Sequence, residues 1–263
     1  MFPDFLDSDA DTAARGLLGC LLVRDFDGMC VTTRIVETEA YDQLDPASHT
    51  FHGRSERNRA MFGPAGHAYI YLIYGMHYCM NVTAFENGFG AGVLIRAVEP
   101  VSVAGIPDHA SAGIVPRSGS CGTVEGVKAA DDTSSRSRME DIGMDDSAGS
   151  VADGNDLAAP DVALRNDASA DDGGASSNIE SFVARRRPGR RVRDSFNGPA
   201  KLCKTLGIDM DLYDHDLREP PLRLESAPLR PGECVEATER IGITKAKDRM
   251  RRFVIAGNPY LSR

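Results

Sequence analysis

Apolar and polar positions along this chain repeat with short periods. Between Ile35 and Tyr41, the residues Ile35, Glu37, Glu39 and Tyr41 alternate with Val36, Thr38 and Ala40, the period of two that belongs to a strand. Similar runs predict strands over 20–23, 30–41, 68–73, 78–84 and 92–98, then near 222–225, 234–241 and 251–256. Gly75, inside Tyr74-Gly75-Met76-His77, supplies a turn residue and joins the two middle runs as a hairpin. Ser8 or Asp9 can cap a helix that runs to Leu18, where Gly19 breaks it. Asn197-Gly198-Pro199 opens a second helix, which ends at Gly207. This order predicts an α+β fold in one domain: a mostly antiparallel curved sheet, a protruding β-hairpin and flanking helices.

One stretch has no such pattern. Residues 105–180 contain no Phe, Tyr or Trp and consist largely of Ala, Ser, Gly and Asp, too little apolar surface to offset the entropy of ordering. They are expected to form a disordered, acidic, low-complexity insertion, so that 1–104 and 181–263 together make one domain. The insertion also accounts for the net charge of −9, because it holds 15 acidic and 5 basic residues, whereas the rest holds 24 and 25. Overall acidity therefore does not argue against a nucleic-acid partner, and local clusters decide.

The apolar runs Leu17–Val23 and Tyr69–Tyr74 are far shorter than the roughly 18–20 residues that span a bilayer. No membrane association is expected. The acidic start, MFPDFLDSDAD, is unlike a secretory signal and predicts an intracellular protein. Six scattered cysteines with no CxxC pair read as buried thiols rather than as a zinc site.

Two carboxylates and a tyrosine on one strand face fit a solvated surface, or a general base whose pKa a partly apolar pocket adjusts. The longer motifs favour the second. RIVETEAY (34–41), DPASH (45–49), RNRAMFGPAGHAYIYLIYGMHYCMNV (57–82), VLIRAVEP (93–100), NGPAKLCKTLGID (197–209) and GNPY (257–260) together closely resemble the alkyladenine, or 3-methyladenine, DNA glycosylase family. The resemblance covers most of the chain outside the insertion and the extreme N-terminus. It departs in the connection from Tyr41 to His49, one residue shorter than the usual pattern, and in the length of the insertion.

That resemblance implies hydrolytic removal of alkylated or deaminated purines, of the 3-methyladenine and hypoxanthine class, at the start of base excision repair. It assigns the water-activating carboxylate to Glu39, with Arg96 beside it. It places the extruded purine against Tyr41, His49 and Tyr71, gives Asn81 a place in the base pocket, and makes Tyr74 the side chain that fills the gap in the duplex. Glu37 receives no role. The implied partner is double-stranded DNA containing damaged purines, bound by a monomer without cofactor or metal.

Extrusion and stacking are physically consistent with these residues, since a base inside a duplex must leave the stack before its glycosidic bond can be reached. The first lysine in the sequence is Lys128, so the block carrying Glu39 has no amine for a Schiff base, and a monofunctional glycosylase is expected. Phosphate contacts are expected from Arg54, Arg57 and Arg59 and from the run Arg185, Arg186, Arg187, Arg190 and Arg191; the competing reading of that run is a nuclear-localisation signal or a solvated linker, which can coexist with DNA contact. Two rival readings use the same residues. One is a metal-dependent nuclease built on Glu37, Glu39, His49 and His52. The other is a damage-binding protein without catalysis.

Overall fold

The computed structural model describes residues 1–105 and 173–262. The chain opens with α1 (Ala10–Gly16), capped by Asp9, whose carboxylate accepts from the amides of Asp11 and Thr12. Strands β1 (Leu21–Phe26) and β2 (Met29–Asp42) follow, then β3 (Ala68–Ile73), β4 (His77–Thr83) and the long β5 (Ala91–Gly105). Helices α2 (Gly173–Arg186), α3 (Val192–Phe196) and α4 (Pro199–Leu206) come next, and β6 (Leu222–Glu225), β7 (Val235–Thr238) and β8 (Arg252–Ile255) complete the described fold.

The eight strands join one curled antiparallel sheet, six of them in the order β3-β4-β5-β2-β1-β6, with β8 paired to β2 and β7 to β8 off that path. Strand β2 is long enough to use one edge twice: residues 21–26 of β1 pair with its first half, and β8 pairs with Glu37, Thr38 and Glu39. One sheet face carries Ile70, Met80, Val82, Val93 and Ile95 into the main core, where α1, α2 and α4 contribute Ala13, Phe182, Val183, Leu202 and Leu206. Each large apolar side chain buried there contributes about 1.5–3 kcal/mol. The opposite face holds a smaller cluster of Ala60, Met61 and Tyr69, with Tyr71 and Tyr213 packed against it.

The α+β architecture, the 68–84 hairpin and the 199–206 helix agree with the sequence pattern. Pro199 starts that helix, and Gly207 ends it in the left-handed region at φ 61°, where a residue without Cβ is unstrained. Several boundaries differ. Most of the proposed insertion, 106–172, lies outside the described residues, but its last part does not: α2 already runs from Gly173, and Ile179 packs on the core. The polar start of α2 hid it, because its stability comes from Phe182 and Val183 further along. Strand β7 stops at Thr238 rather than 241, and the Ile241 amide turns to a side-chain partner described below. The cysteines are not uniformly buried either: Cys20, Cys79 and Cys203 are, Cys30 is half-buried and Cys234 is exposed. Among the described residues no helix is long and apolar enough to cross a membrane.

Candidate active site

Register brings the site together. Glu39 of β2 lies opposite Leu94 of β5, Leu94 opposite Asn81 of β4, and Asn81 opposite Tyr69 of β3. On its other edge Glu39 faces Arg252 of β8. Directly paired residues project to the same side of a sheet. One row across five strands therefore carries Tyr69, Asn81, Leu94, Glu39 and Arg252 on the face away from the main core. Two positions along β3 and β4, Tyr71 and Cys79 form the next pair on that face.

Arg96 reaches the row through an irregularity. Thr38 pairs with Ile95 and Glu37 with Ala97, so Arg96 is an extra residue on β5, and Val36 is a compensating extra residue on β2. Bulges of this kind re-aim a side chain. Arg96 is 6% exposed; its Nη1 donates to Glu39 Oε2 at 3.2 Å and its Nε to Glu37 Oε1 at 2.9 Å. Burial alone would lower its pKa, but Glu39 and Glu37 more than offset this and raise it.

The two glutamates, both 0% exposed, have different surroundings. Glu37 accepts from four donors: Arg96 Nε, Arg252 Nε at 2.7 Å, the Ser262 hydroxyl at 2.6 Å and the Ser262 amide. Glu39 accepts from three: Arg96 Nη1, the Tyr41 hydroxyl at 2.8 Å and, at Oε1, the Ile241 amide at 2.8 Å. A carboxylate offers about four lone-pair sites. On Glu37 three donors converge on Oε1 and only the Ser262 amide uses Oε2; on Glu39 two donors share Oε2, and Oε1, bonded to the Ile241 amide, retains an acceptor position.

Aromatic rings occupy the β3 end of the row. Tyr69 and Tyr71 stack with centroids 5.5 Å apart, and His49 meets Tyr71 edge-on at 4.6 Å. His49 Nδ1 lies 2.9 Å from the Tyr69 hydroxyl, and its carbonyl accepts from the Asn58 side chain at 2.8 Å, which fixes the covering loop. Tyr41 forms no ring pair among the described residues; the Arg240 guanidinium lies 4.7 Å from its ring centroid. Burial, then Arg57, lowers the His49 pKa to about 4, so the ring is neutral at pH 7. Burial, then Glu39, raises the Tyr41 phenol, and burial raises the Cys79 thiol to about 11. The Asn81 side chain is 5% exposed and has no hydrogen-bond partner among the described residues.

A model of the methylpurine-DNA glycosylase family matches residues 4–113 and 174–259. The chain belongs to the methylpurine-DNA glycosylase family. Relatives include proteins described as "putative 3-methyladenine DNA glycosylase" from Methanoculleus marisnigri, 34% identical over 98% of this chain and 96% of the relative, and Carboxydothermus hydrogenoformans, 32% identical over 98% and 96%. A third, from Nitrosospira multiformis, is 34% identical over 99% of this chain and 92% of the relative. As a methylpurine-DNA glycosylase the protein is a DNA-repair hydrolase acting on N-glycosyl bonds, with DNA as its substrate.

The glycosylase's hairpin tip is built from Tyr74 at φ 52° and Gly75 at φ 65°, with the Met76 amide donating to the Ile73 carbonyl. Positive φ at both central residues is the type I′ arrangement suited to strand twist, and it leaves Tyr74 57% exposed and Met76 70% exposed. The candidate arginines divide into two groups. Arg54, Arg57 and Arg59 are exposed in the covering loop, and Arg57 Nη2 donates to the Leu72 carbonyl near the hairpin's tip. Arg185 instead sits against Met29, and Arg186 lies over Phe26 and bonds the Thr205 and Lys204 carbonyls. Met29 is ten residues from Glu39 along β2, roughly 30 Å at ~3.3 Å per residue. Arg187 bonds the Lys201 carbonyl, Arg190 is exposed, and Arg191 pairs with Asp194.

Sequence reasoning missed the support beneath the pocket. Asp45, 0% exposed, pairs with Arg240 and Arg251 at the head of the loop that carries His49. It also missed Tyr69, which the alternation in AYIYLIY puts on the same face as Tyr71. Ser262 and Arg240 carry no signal in the sequence alone, because only long-range register places them. His52 is exposed while His49 is held by Tyr69 and Tyr71, so the four proposed nuclease ligands are not assembled, and no group of three metal-ligating side chains occurs among the described residues.

Proposed function

We propose that the protein extrudes an alkylated or deaminated purine of the 3-methyladenine and hypoxanthine class from duplex DNA and hydrolyses its N-glycosidic bond with a water activated by Glu39. The observation that carries this reading is the open acceptor site on Glu39, within a row that ends in neutral aromatic rings. A carboxylate there takes the proton of the attacking water and offsets positive charge developing on the sugar. Arg96 and the Tyr41 hydroxyl hold Oε2, leaving Oε1 to turn a water toward C1′.

Extruding a base costs a few kcal/mol, least for a damaged one, and stacking recovers about 1–3 kcal/mol per aromatic contact, a magnitude known from single-strand binding. Tyr41 on one side and His49 with Tyr71 on the other form the stacking walls. Neutral His49 does not repel the positive charge of an N-alkylated purine, whose leaving base needs no proton donor. Asn81 offers its unpaired amide to the edge of the base. Tyr74 fills the vacated stack, and Arg54, Arg57 and Arg59 contact phosphates near the hairpin.

The reading is tested by incubating the protein with methylated duplex DNA, and with a duplex carrying one hypoxanthine, followed by alkaline strand cleavage. Wild type releases the base, and Glu39→Gln loses about 10²–10⁴-fold in single-turnover rate. Release by Glu39→Gln at the wild-type rate refutes the assignment. None of the side chains hydrogen-bonded to Glu39 is a lysine, and borohydride treatment leaves no covalent DNA adduct; an adduct refutes the monofunctional mechanism.

A further inference from the structure

Glu37 is a buried carboxylate one turn of the strand period from Glu39, and the mechanism above gives it nothing to do. Arg96 Nε, Arg252 Nε and the Ser262 hydroxyl all converge on its Oε1, and the Ser262 amide binds its Oε2. We propose that Glu37, together with Ser262, is a positioning unit that holds the Arg96 guanidinium so that it offers Glu39 a single N–H; the inference rests on the reading of Glu39 and Arg96 as the catalytic pair.

Every nitrogen of Arg96 is anchored. Nε donates to Glu37 Oε1 at 2.9 Å and lies 3.3 Å from the Ser262 hydroxyl oxygen, Nη2 donates to that oxygen at 3.1 Å, and Nη1 donates to Glu39 at 3.2 Å and to the Ile241 carbonyl at 3.4 Å. The Ser262 hydroxyl in turn donates to Glu37 Oε1 at 2.6 Å. An arginine facing one carboxylate prefers to grip both oxygens through two parallel hydrogen bonds. Such a grip on Glu39 would occupy the acceptor site that a water needs. Ser262 and Glu37 prevent it, the hydroxyl by taking Nη2 and the carboxylate by taking Nε and holding that hydroxyl, and Arg252, bonded to the same Glu37 oxygen, balances the second negative charge. Burial pushes the Glu37 carboxyl up, but the bonds from Arg252, Arg96 and Ser262 outweigh it, and the group stays ionised below its ordinary pKa. Replacing Glu37 by Gln removes the charge between Arg96 and Arg252, and whichever way the amide turns its NH₂ meets an N–H donor, either the Ser262 amide or Arg96 Nε and Arg252 Nε, so Arg96 or the Ser262 that anchors its Nη2 loses its hold.

The test is a double-mutant cycle in the full chain, read as single-turnover base release from a hypoxanthine duplex and, separately, as the dissociation constant of that duplex. Glu37→Gln and Ser262→Ala each lower the release rate about 10- to 100-fold, the scale of a misplaced catalytic group, while the dissociation constant is unchanged. In an Arg96→Ala background, adding Glu37→Gln changes the rate by less than about twofold, because its effect passes through Arg96. Equal losses in both backgrounds, or a wild-type rate for Glu37→Gln, overturn the proposal. Ser262→Ala keeps both charges and carries the same cycle should Glu37→Gln fail to fold. A wild-type rate for Arg96→Ala would refute the catalytic pair itself, a result separate from any behaviour of Glu37.

Discussion

Replacing Asp45 by Asn should be among the most damaging single changes outside the row of the active site. The side chain is 0% exposed and accepts from both terminal nitrogens of Arg240, from Arg251 Nη1 at 3.1 Å and from the Ala47 amide at 3.0 Å. Arg251 keeps Asp11 and Asp42 as partners. Arg240, 5% exposed, has no carboxylate partner but Asp45 among the described residues. The substitution therefore leaves one buried cation without a counter-charge, a situation that costs about 3–5 kcal/mol. For a domain of this size each kcal/mol moves the midpoint by about 2–4 °C, so Tm should fall by about 6–20 °C.

Thermal and urea unfolding of wild type and Asp45→Asn at neutral pH measures this, with Asp216→Asn as a control, since its partnership with Arg218 is exposed and worth less than about 1 kcal/mol. The pH dependence supplies a second check. Burial raises the Asp45 pKa, but hydrogen bonds from Arg240 and Ala47 and the nearby guanidinia outweigh it and leave it below its ordinary value. Its contribution is thus present above the unfolded carboxylate pKa and is lost as pH falls through the lower folded value, where the gap between wild type and variant closes. A loss below about 1 kcal/mol at neutral pH would refute the argument from an uncompensated charge.

His49 gives a pH dependence of its own. Its folded pKa of about 4 lies below the ordinary 6.5, so the unfolded chain takes up the proton first, and stability drains away as pH falls from 6.5 to 4, by at most about 3 kcal/mol. Urea titrations of wild type and His49→Gln across that range check this, because the variant lacks the component. On duplex DNA, Arg57→Ala should reduce the slope of log affinity against log salt by about one unit, and Arg186→Ala should leave it unchanged while lowering thermal stability through lost packing on Phe26. Fluorescence anisotropy at several salt concentrations separates the two.

Much of this site could be read from local order. The alternation in IVETEAY and AYIYLIY places the right side chains on shared faces, and Gly75 and Gly207 mark the hairpin and the helix end where their left-handed conformations are needed. The difference between Glu37 and Glu39 could not be read there, because both obey the same period. It arises from Ser262 and Ile241, more than 200 residues away in sequence, and from a bulge that local pattern does not encode. Helix α2 escaped for a related reason: its first turns are polar, and only tertiary contact of Phe182 and Val183 makes them worth ordering. The arginine run shows the opposite limit. Its composition matches a phosphate-binding cluster, yet Arg186 uses its donors on the Thr205 and Lys204 carbonyls of α4.

The row through Glu39 also bears on how the protein is made. Tyr69, Asn81, Leu94 and Arg96 all precede the acidic segment, but the Ile241 amide, Arg252 and Ser262 follow it. A nascent chain that has emerged only as far as β5 already displays every stacking ring, while the edge of β2 at Glu37–Glu39 still waits for β8. Both carboxylates then lack donors they have in the finished protein, and Arg96 is free to close on either. Ribosome-bound intermediates should accordingly be unable to cut a glycosidic bond, and hydrolytic competence should arise in one step, when the final strand docks.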